Sequence, residues 1–421
     1  MQRRHFLFGL AAASAGGFLL RPDDRGAPHD AYFTALNESL KAGGPGRPVL
    51  IVDLDRLERN CKRLTQSLNG KQYRVVAKSM PSAGLIAHVM QHTGFTRVMS
   101  FHQPFVNLLA KDMPRADILL GKPMPVQAAA TFYRRFDTAG SFDPRSQLQW
   151  LIDTPDRLAQ YQQLARTLGA QVRINVEIDV GLHRGGLTAV EQLPPMLATI
   201  AADPRHLSFA GFMGYDAHVG RIPPLIESRD ASLAKVLNTY HSYIDCVRAN
   251  QPAMMNDALV LNGAGSPTFR LHGKDSPLNE VSVGSALVKP ADYDLELLAD
   301  FEPASFIATP VIKAWDGLHL PGAEAVGKVW TVWDRNRQRS FFIYGGSGSA
   351  SYTSPQGLTD NPEYEGMINA SRAVHLEVDD YIFLRPNQSE GVFLQFGDLA
   401  LVRNGRIEAW WPVFNPGHEV S

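Results

Sequence analysis

Short apolar runs alternate with helix-like or polar segments along the first two thirds of the chain. Eight such runs lie between Tyr73 and Ala286: YRVVAK, RVMSF, ADILLG, LQWLID, VRINVEID, LSFAGFMGY, ALVLNG and NEVSVGSA. Strands that alternate with helices pair in parallel through right-handed crossovers. Eight of them in about 215 residues match a closed (β/α)8 TIM-type barrel. An open doubly wound sheet is the alternative, but no G-x-G-x-x-G fingerprint follows the first strand, VLIVDL.

The pattern changes after about Pro290, where apolar runs recur without helical spacing. The runs are ASFIATPVIKAW, EAVGKVWTVW, RSFFIYGG, DYIFLRP and VFLQFGDLALVRNGRIEAWWPV. Asn404-Gly405 lies inside the last one and predicts a tight hairpin turn. We therefore predict an α/β chain with a connector at residues 28–47, a barrel at 48–290 and a C-terminal all-β domain at 291–421.

The first residues, MQRRHFLFGLAAASAGGFLL, have the order of a bacterial export signal, basic and then apolar. The twin arginine Arg3-Arg4 indicates the route that exports folded proteins, which suits a protein that must acquire a cofactor first. The apolar run is short for a membrane span, although an uncleaved anchor is an alternative. We expect residues 1–27 to be a twin-arginine signal and the protein to be periplasmic, with cleavage after Ala13-Ser14-Ala15 or Arg25-Gly26-Ala27.

Composition limits the classes of partner. The chain has 421 residues, of which 44% are hydrophobic, and its formal net charge is −1. It has no long basic run, so neither nucleic acid nor an anionic membrane is the expected partner.

Two lysines stand where barrel strands end, and reactive groups of such barrels collect at the carboxyl ends of the strands. Lys78 ends the first barrel strand, and Lys122 holds the equivalent place after ADILLG. A lysine there is either an amine whose pKa burial can lower or a side chain that reaches solvent. Position alone does not choose between the two.

Other strand ends are also polar. They carry Asp153, Glu177, Asp179, His183, Arg184, Tyr215 and His218. Arg184 either meets a ligand or pairs with a nearby carboxylate, and Tyr215 is either a site residue or a core aromatic. His218 is either a proton acceptor or a structural histidine. We expect Asp153 to cap the helix that begins at Pro155.

The loops after the last two strands can present backbone N–H groups and hydroxyls to an anion. They contain Gly263, Ala264, Gly265 and Ser266 in the first loop, and Gly284 and Ser285 in the second. These two positions are the usual phosphate site of such barrels, although turns need glycine in any case. A phosphate on one side of the rim and a lysine on the other suggest pyridoxal 5'-phosphate, whose aldehyde binds a lysine amine.

Together these motifs resemble the fold-type III pyridoxal-phosphate enzymes, in the branch of D-threonine aldolase and D-serine dehydratase with an alanine racemase-like barrel. The resemblance runs from about Arg47 to Val413. It rests on RPVLIVDLDRLERNCKRL, VEIDVGLHRGGL, GFMGYDAHVG, NGAGSPT and VSVGSALVKPADYD.

The resemblance implies roles for single residues. Lys78, rather than Lys122, would bind the cofactor. Arg184 would lie near the cofactor's phenolic oxygen and Tyr215 at its pyridine ring, while the two glycine-rich loops would hold the phosphate. We also expect a homodimer, a small amino-acid substrate and no stable membrane partner.

One segment departs from the family pattern. That branch carries a metal pair near its C-terminus, a histidine and, two residues on, an aspartate or cysteine. The matching stretch here is RPNQSEGVFLQFGD, with Gln388 and Glu390 in the two positions. A neutral amide is a poor ligand for zinc or manganese. We therefore assign no metal ligand, and a divalent metal cofactor becomes doubtful.

These expectations favour a pyridoxal-phosphate lyase that cleaves D-configured β-hydroxy amino acids into glycine and an aldehyde. The candidate catalytic residues are Lys78, His218 and Glu390, with His218 or Glu390 as acceptor of the hydroxyl proton. An amino-acid racemase and a D-serine dehydratase-type ammonia lyase are alternatives. A non-catalytic cofactor-binding protein is a third, but such proteins of this fold lack a β-domain, and the segment after Pro290 counts against it.

Overall fold

The computed structural model of the chain describes residues 21–223, 225–345, 348, 350–360 and 366–415. The predicted signal arginines, Arg3 and Arg4, lie outside these residues. The chain divides into two compact units. The barrel unit comprises Arg56–Ala304, Ser389–Gln395 and the chain from Trp411, and the sheet unit comprises the chain up to Asp55, Ser305–Gln388 and Phe396–Trp410.

A closed parallel barrel of eight strands forms the barrel unit. The strands are β2 (Gln72–Val76), β3 (Arg97–Ser100), β4 (Asp117–Leu120), β5 (Leu148–Ile152), β6 (Val172–Glu177), β7 (Leu207–Gly214), β8 (Val260–Gly263) and β9 (Glu280–Val283). Each pairs with the next, and β9 closes the ring on β2. All eight predicted strands are present, so the predicted barrel is confirmed and the open sheet is wrong.

Helices connect most of these strands. They are α2 (Leu54–Gln66), α3 (Ala83–Thr93), α4 (Gln103–Asp112), α5 (Val126–Arg135), α6 (Pro144–Gln147), α7 (Pro155–Leu168), α8 (Leu193–Ala202), α9 (Arg229–Asn250) and α10 (Ser285–Val288). The cap of α7 is Thr154, whose hydroxyl accepts the Arg157 N–H, so the prediction that Asp153 caps this helix is wrong. A threonine in extended conformation fills the cap position that directly precedes Pro155.

The interior of the barrel contains a charged network around Arg74, on β2. Arg74 is fully buried, and its guanidinium donates to Glu280 and Asp117 at 2.6 Å each. Arg97 also donates to Glu280 at 2.6 Å. Each buried charge is therefore paired and hydrogen-bonded, as a low-dielectric interior requires.

The core of the sheet unit is built from a nine-stranded sheet and the apolar face of a helix. The strands are β1 (Val49–Asp53), β10 (Ser305–Asp316), β11 (Arg339–Ile343), β12 (Ala350–Ser354), β13 (Thr359–Asp360), β14 (Met367–Ala370), β15 (Tyr381–Pro386), β16 (Leu399–Arg403) and β17 (Arg406–Trp411). Asn404 and Gly405, with φ of 51° and 71°, form the predicted turn between β16 and β17. Helix α1 (Ala31–Gly43) packs Phe33, Leu36 and Leu40 into the core of this unit.

Two predicted boundaries differ from the structure. The range 48–290 placed β1 in the barrel, whereas β1 pairs with β10 on one side and β16 on the other. The range 28–47 was predicted as a connector but contains α1. Residues 21–27, predicted as signal, also make contacts, since Arg25 N–H donates to Asn336 Oδ1 at 2.9 Å.

One predicted strand is a helix, α11 (Glu324–Trp333), so the C-terminal region is mainly β rather than all-β. The run EAVGKVWTVW is rich in valine and tryptophan, which favour strands. Its apolar positions Val326, Val329, Trp330 and Trp333 are also spaced by three and four residues, which suits a helix.

Among the described residues, no helix is long and apolar enough to cross a membrane.

Candidate active site

A cavity opens at the carboxyl ends of the barrel strands. Every residue that lines it belongs to the barrel unit. The lining includes most of the predicted site residues, namely Lys78, Arg184, Tyr215, Ala264, Gly265, Ser266, Gly284, Ser285 and Glu390. Gly263 and His218 do not line it. The barrel therefore brings residues from six separate chain segments to one place.

Lys78 lies in a short turn, Ala77–Ser79, that directly follows β2. Its Nζ is 2.7 Å from Glu390 Oε1 and 4.4 Å from the centroid of the Phe101 ring. Lys122 is exposed and does not line the cavity, although its neighbour Gly121 does. The geometry thus favours Lys78 as the reactive amine and leaves Lys122 at the surface.

Glu390 reaches the cavity on the segment Ser389–Gln395, which belongs to the barrel unit. Three buried hydroxyls hold this segment in place: Ser389 Oγ lies 3.0 Å from Ser285 Oγ, which lies 3.1 Å from Ser79 Oγ. Ser79 is the residue after Lys78. The turn of the lysine and the segment of the glutamate are therefore fixed relative to each other.

The two glycine-rich loops are joined by a hydrogen bond from the Ala286 N–H to Ser266 Oγ, at 3.0 Å. A side chain at Gly265 would lie 2.5 Å from the Tyr215 ring, and one at Gly284 would lie 2.7 Å from Ser79 Oγ. These two positions require glycine because other groups approach the backbone closely. Gly263 instead packs toward Leu278, behind the cavity.

Arg184 and Tyr215 form a pair in the lining of the cavity. The guanidinium lies 4.8 Å from the centre of the Tyr215 ring and 3.4 Å from Glu177 Oε1. Burial raises the pKa of Tyr215 to about 12, so its hydroxyl stays protonated at neutral pH. Burial also raises the pKa of Glu177, while Arg184 opposes that shift. Arg184 thus both lines the cavity and pairs with a carboxylate.

His218, the other candidate proton acceptor, does not line the cavity. A Cβ atom added at Gly181 would lie 3.0 Å from His218 Nε2, so the imidazole packs against this glycine. Burial lowers the pKa of His218. The glutamate and the histidine were both candidates from the sequence, and of these two only Glu390 lines the cavity.

Sequence reasoning missed a buried support behind the first glycine-rich loop. Gly265 N–H donates to Thr268 Oγ1 at 3.2 Å, and Thr268 donates to Asp216 Oδ1 at 2.6 Å. His272 Nε2 lies 2.7 Å from the other oxygen of Asp216. Asp216 follows Tyr215 in the motif GYDAHVG, but nothing in the sequence around His272 indicates this contact. Tyr293, which lines the cavity, was missed as well.

Comparison with known proteins decides the family. The alanine racemase N-terminal domain model matches residues 52–292, more than half of the chain. The chain belongs to this family. Its members are pyridoxal-phosphate enzymes of fold type III, so the family resemblance drawn from the motifs is confirmed.

Several relatives within this group are similar along most of their length. A 3-hydroxy-D-aspartate aldolase of Paracoccus denitrificans is 25% identical over 376 residues, 87% of this chain and 91% of that one. The crystal structure of a D-threonine aldolase from Filomicrobium marinum has a TM-score of 0.67 at 19% identity, over 87% and 96% of the two chains. A D-threo-3-hydroxyaspartate dehydratase from Delftia sp. has a TM-score of 0.61 at 17% identity, over 89% and 99%. At these identities the solved structures establish the fold.

The lining of the cavity fits pyridoxal phosphate. Lys78 offers an amine for the aldehyde, and the cradle at Gly265, Ser266, Gly284 and Ser285 offers backbone and hydroxyl groups for the phosphate. The bare backbone at the two glycines leaves space that any side chain would fill. The chemistry of the donors therefore agrees with the cofactor of the family.

Proposed function

We propose that this protein is a pyridoxal-phosphate lyase of the D-threonine aldolase type, which cleaves D-configured β-hydroxy amino acids into glycine and an aldehyde. One observation carries the proposal: Glu390 Oε1 lies 2.7 Å from Lys78 Nζ, and both residues line the cavity. An aldolase of this type needs a base for the substrate hydroxyl beside the cofactor amine. The similarity to 3-hydroxy-D-aspartate aldolase supports the same class of reaction.

The side chains of the cavity divide the proton transfers between them. Glu390 accepts the proton of the β-hydroxyl as the C–O bond becomes a carbonyl and the electron pair of the Cα–Cβ bond remains on Cα. Bound pyridoxal phosphate supplies the electron sink for that pair. Lys78 delivers a proton to Cα, which completes glycine. The 2.7 Å contact then lets the proton on Glu390 return to Lys78 Nζ.

In this scheme Glu390 performs without a metal the step for which the family branch carries a metal pair. Gln388 does not line the cavity, and its amide is a poor ligand for zinc or manganese. A lone carboxylate that already forms an ion pair with Lys78 does not hold a transition metal tightly. Divalent metal is therefore not part of the proposed reaction.

A substrate panel tests the proposal. Tag-free enzyme is incubated with D-threonine, D-serine, 3-hydroxy-D-aspartate, L-threonine and both enantiomers of alanine, and aldehyde, ammonia and enantiomer ratio are measured together. We expect glycine and aldehyde from D-β-hydroxy amino acids and none from L-threonine. Enantiomer exchange without aldehyde would indicate a racemase, and ammonia without aldehyde would indicate a dehydratase. Either result contradicts the proposal.

We also propose that the protein is exported by the twin-arginine route, acts in the periplasm and forms a homodimer. Asp23 and Arg25 form backbone hydrogen bonds with the side chain of Asn336, which favours cleavage at the earlier motif, Ala13-Ser14-Ala15. Replacement of both Arg3 and Arg4 by lysine is expected to leave folded enzyme in the cytoplasm, as measured by activity in cell fractions. Unchanged delivery of the double variant to the periplasm would mean that the arginine pair is incidental.

A further inference from the structure

Away from the cavity, three metal-ligating side chains converge on the outer side of the barrel. They are Glu58 on α2, and His88 and His92 on α3. Their ligand atoms all lie within 4.8 Å of one another. None of the three lines the cavity of the active site, so the group is separate from the lyase chemistry.

The spacing of the two histidines explains their convergence. Residues four apart on a helix lie on the same face, one turn above the other, and a histidine pair with this spacing is a common zinc-binding arrangement. The centroids of the His88 and His92 rings are 4.4 Å apart. Both direct Nε2 at one oxygen of Glu58, with distances of 3.1 Å for His88 and 3.5 Å for His92.

These distances suit a zinc ion. Zinc bonds to imidazole nitrogen and carboxylate oxygen are about 2.0–2.2 Å long, and in a tetrahedron that length separates neighbouring ligand atoms by roughly 3.3 Å. The two measured separations from the Glu58 oxygen lie on either side of this value. The side chain of His92 is 33% exposed, which leaves access for the ion and for water as the fourth ligand.

We propose that Glu58, His88 and His92 bind one zinc-type divalent cation that links α3 to α2. The cation has a structural consequence near the active site, because α3 begins five residues after Lys78. Trp411 covers the same helix: its ring is 5.7 Å from that of His88, and a side chain at Gly84 would lie 2.9 Å from it. Linking α3 to α2 stabilises the base of the turn that carries the lysine.

The test is zinc content and thermal stability of the tag-free holoenzyme. After dialysis against zinc and then against metal-free buffer, we expect one zinc per chain in the wild type and a higher unfolding temperature than in the zinc-free protein. His92→Gln and Glu58→Gln are expected to lose the zinc and the stabilisation, with affinity lower by roughly 100-fold or more. His92 is partly exposed, so its replacement leaves the fold intact.

Two matched controls establish whether the zinc binds to these three side chains. His241→Gln removes an exposed histidine from a different helix, α9, and Glu390→Gln removes the carboxylate of the cavity; both are expected to keep the zinc. A wild type that retains no zinc would mean that Glu58 simply forms ion pairs with the two imidazoles, and would overturn the proposal. Zinc that persists in His92→Gln, or that is lost in Glu390→Gln, would overturn it equally.

Discussion

Two cations lie four residues apart on the same stretch of the barrel and have opposite surroundings. Arg74, in the middle of β2, is fully buried and donates to both Glu280 and Asp117. Lys78, in the turn after β2, keeps 35% of its side chain exposed and forms one ion pair, with Glu390. The distances differ little, 2.6 Å against 2.7 Å.

The difference is therefore one of burial and of the number of partners. Breaking a fully desolvated pair leaves an uncompensated charge in the interior, so Arg74 is a structural group. A solvent-accessible pair contributes little to stability and exchanges its partner easily, so Lys78 remains available to react. The strand thus carries a fixed charge inside the barrel, and the turn that follows it carries the proposed reactive amine at the rim.

The largest effect is expected at the rim. Lys78→Ala should lower the rate of aldehyde formation by roughly 10³-fold or more, because it removes the amine that binds the cofactor. Borohydride reduction followed by peptide mass analysis should find the cofactor on Lys78 in the wild type and in Lys122→Ala. An adduct that survives in Lys78→Ala would disprove the assignment.

The interior pair should affect stability instead of chemistry. Arg74→Met should lower the free energy of unfolding by about 3–5 kcal/mol, because Glu280 and Asp117 lose a buried partner. Arg59→Met is the matched control, since Arg59 pairs with Glu302 at the same 2.6 Å but is 49% exposed. We expect a loss of at most about 1 kcal/mol there. Equal shifts of the urea midpoint in both variants would contradict the role given to burial.

The partner of the rim lysine is expected to act in catalysis. Glu390→Gln should lower kcat by about 10²-fold, because the substrate hydroxyl loses its proton acceptor. The cofactor should still be trapped on Lys78. His218→Gln, outside the cavity, should lower kcat by less than about tenfold. If the histidine variant proved the more damaging of the two, Glu390 would not be the base.

The smallest expected effect is a pH-dependent change in stability from the exposed ion pair between Arg59 and Glu302. Hydrogen bonds from Arg59, and then from Arg63, lower the pKa of Glu302 to about 2 from its ordinary value of 4.5. A carboxyl whose pKa falls on folding stabilises the protein above pH 4.5, and this contribution disappears as the pH drops towards 2. Urea midpoints of the wild type and Glu302→Gln should therefore differ slightly at pH 6, and this difference should shrink as the pH falls towards 2. A difference in urea midpoint that grows as the pH falls would contradict this account of Glu302.

The barrel was predictable because every strand has its own apolar run and its own polar or glycine-rich end. The place of β1 was not, because its partners β10 and β16 lie about 250 and 350 residues further along the chain. In α11 the residue types favour a strand and their spacing suits a helix, and the run was predicted from its types. The local pattern of apolar residues thus predicted helices and strands better than it predicted which strands pair with each other.

In the site, residues that end strands were easy to place and residues on loops were not. Lys78 and Tyr215 closely follow the ends of β2 and β7, which face the cavity. His218 and Asp216 share one motif after β7, yet Asp216 supports the first glycine-rich loop through Thr268, and His218 does not line the cavity. Glu58 is 30 residues from His88, so their contact depends on how α2 and α3 pack.

The most direct test of the central claim, that Lys78 and Glu390 act without a metal, is the rate of D-threonine cleavage after exhaustive chelation. It is measured together with elemental analysis, in the wild type and in His92→Gln, so that zinc on the outer side of the barrel is not mistaken for metal in the cavity. We predict that the metal-free enzyme keeps its full rate in both proteins. Activity that disappears with a stoichiometric divalent metal, and returns when the metal is added back to His92→Gln, would contradict the account.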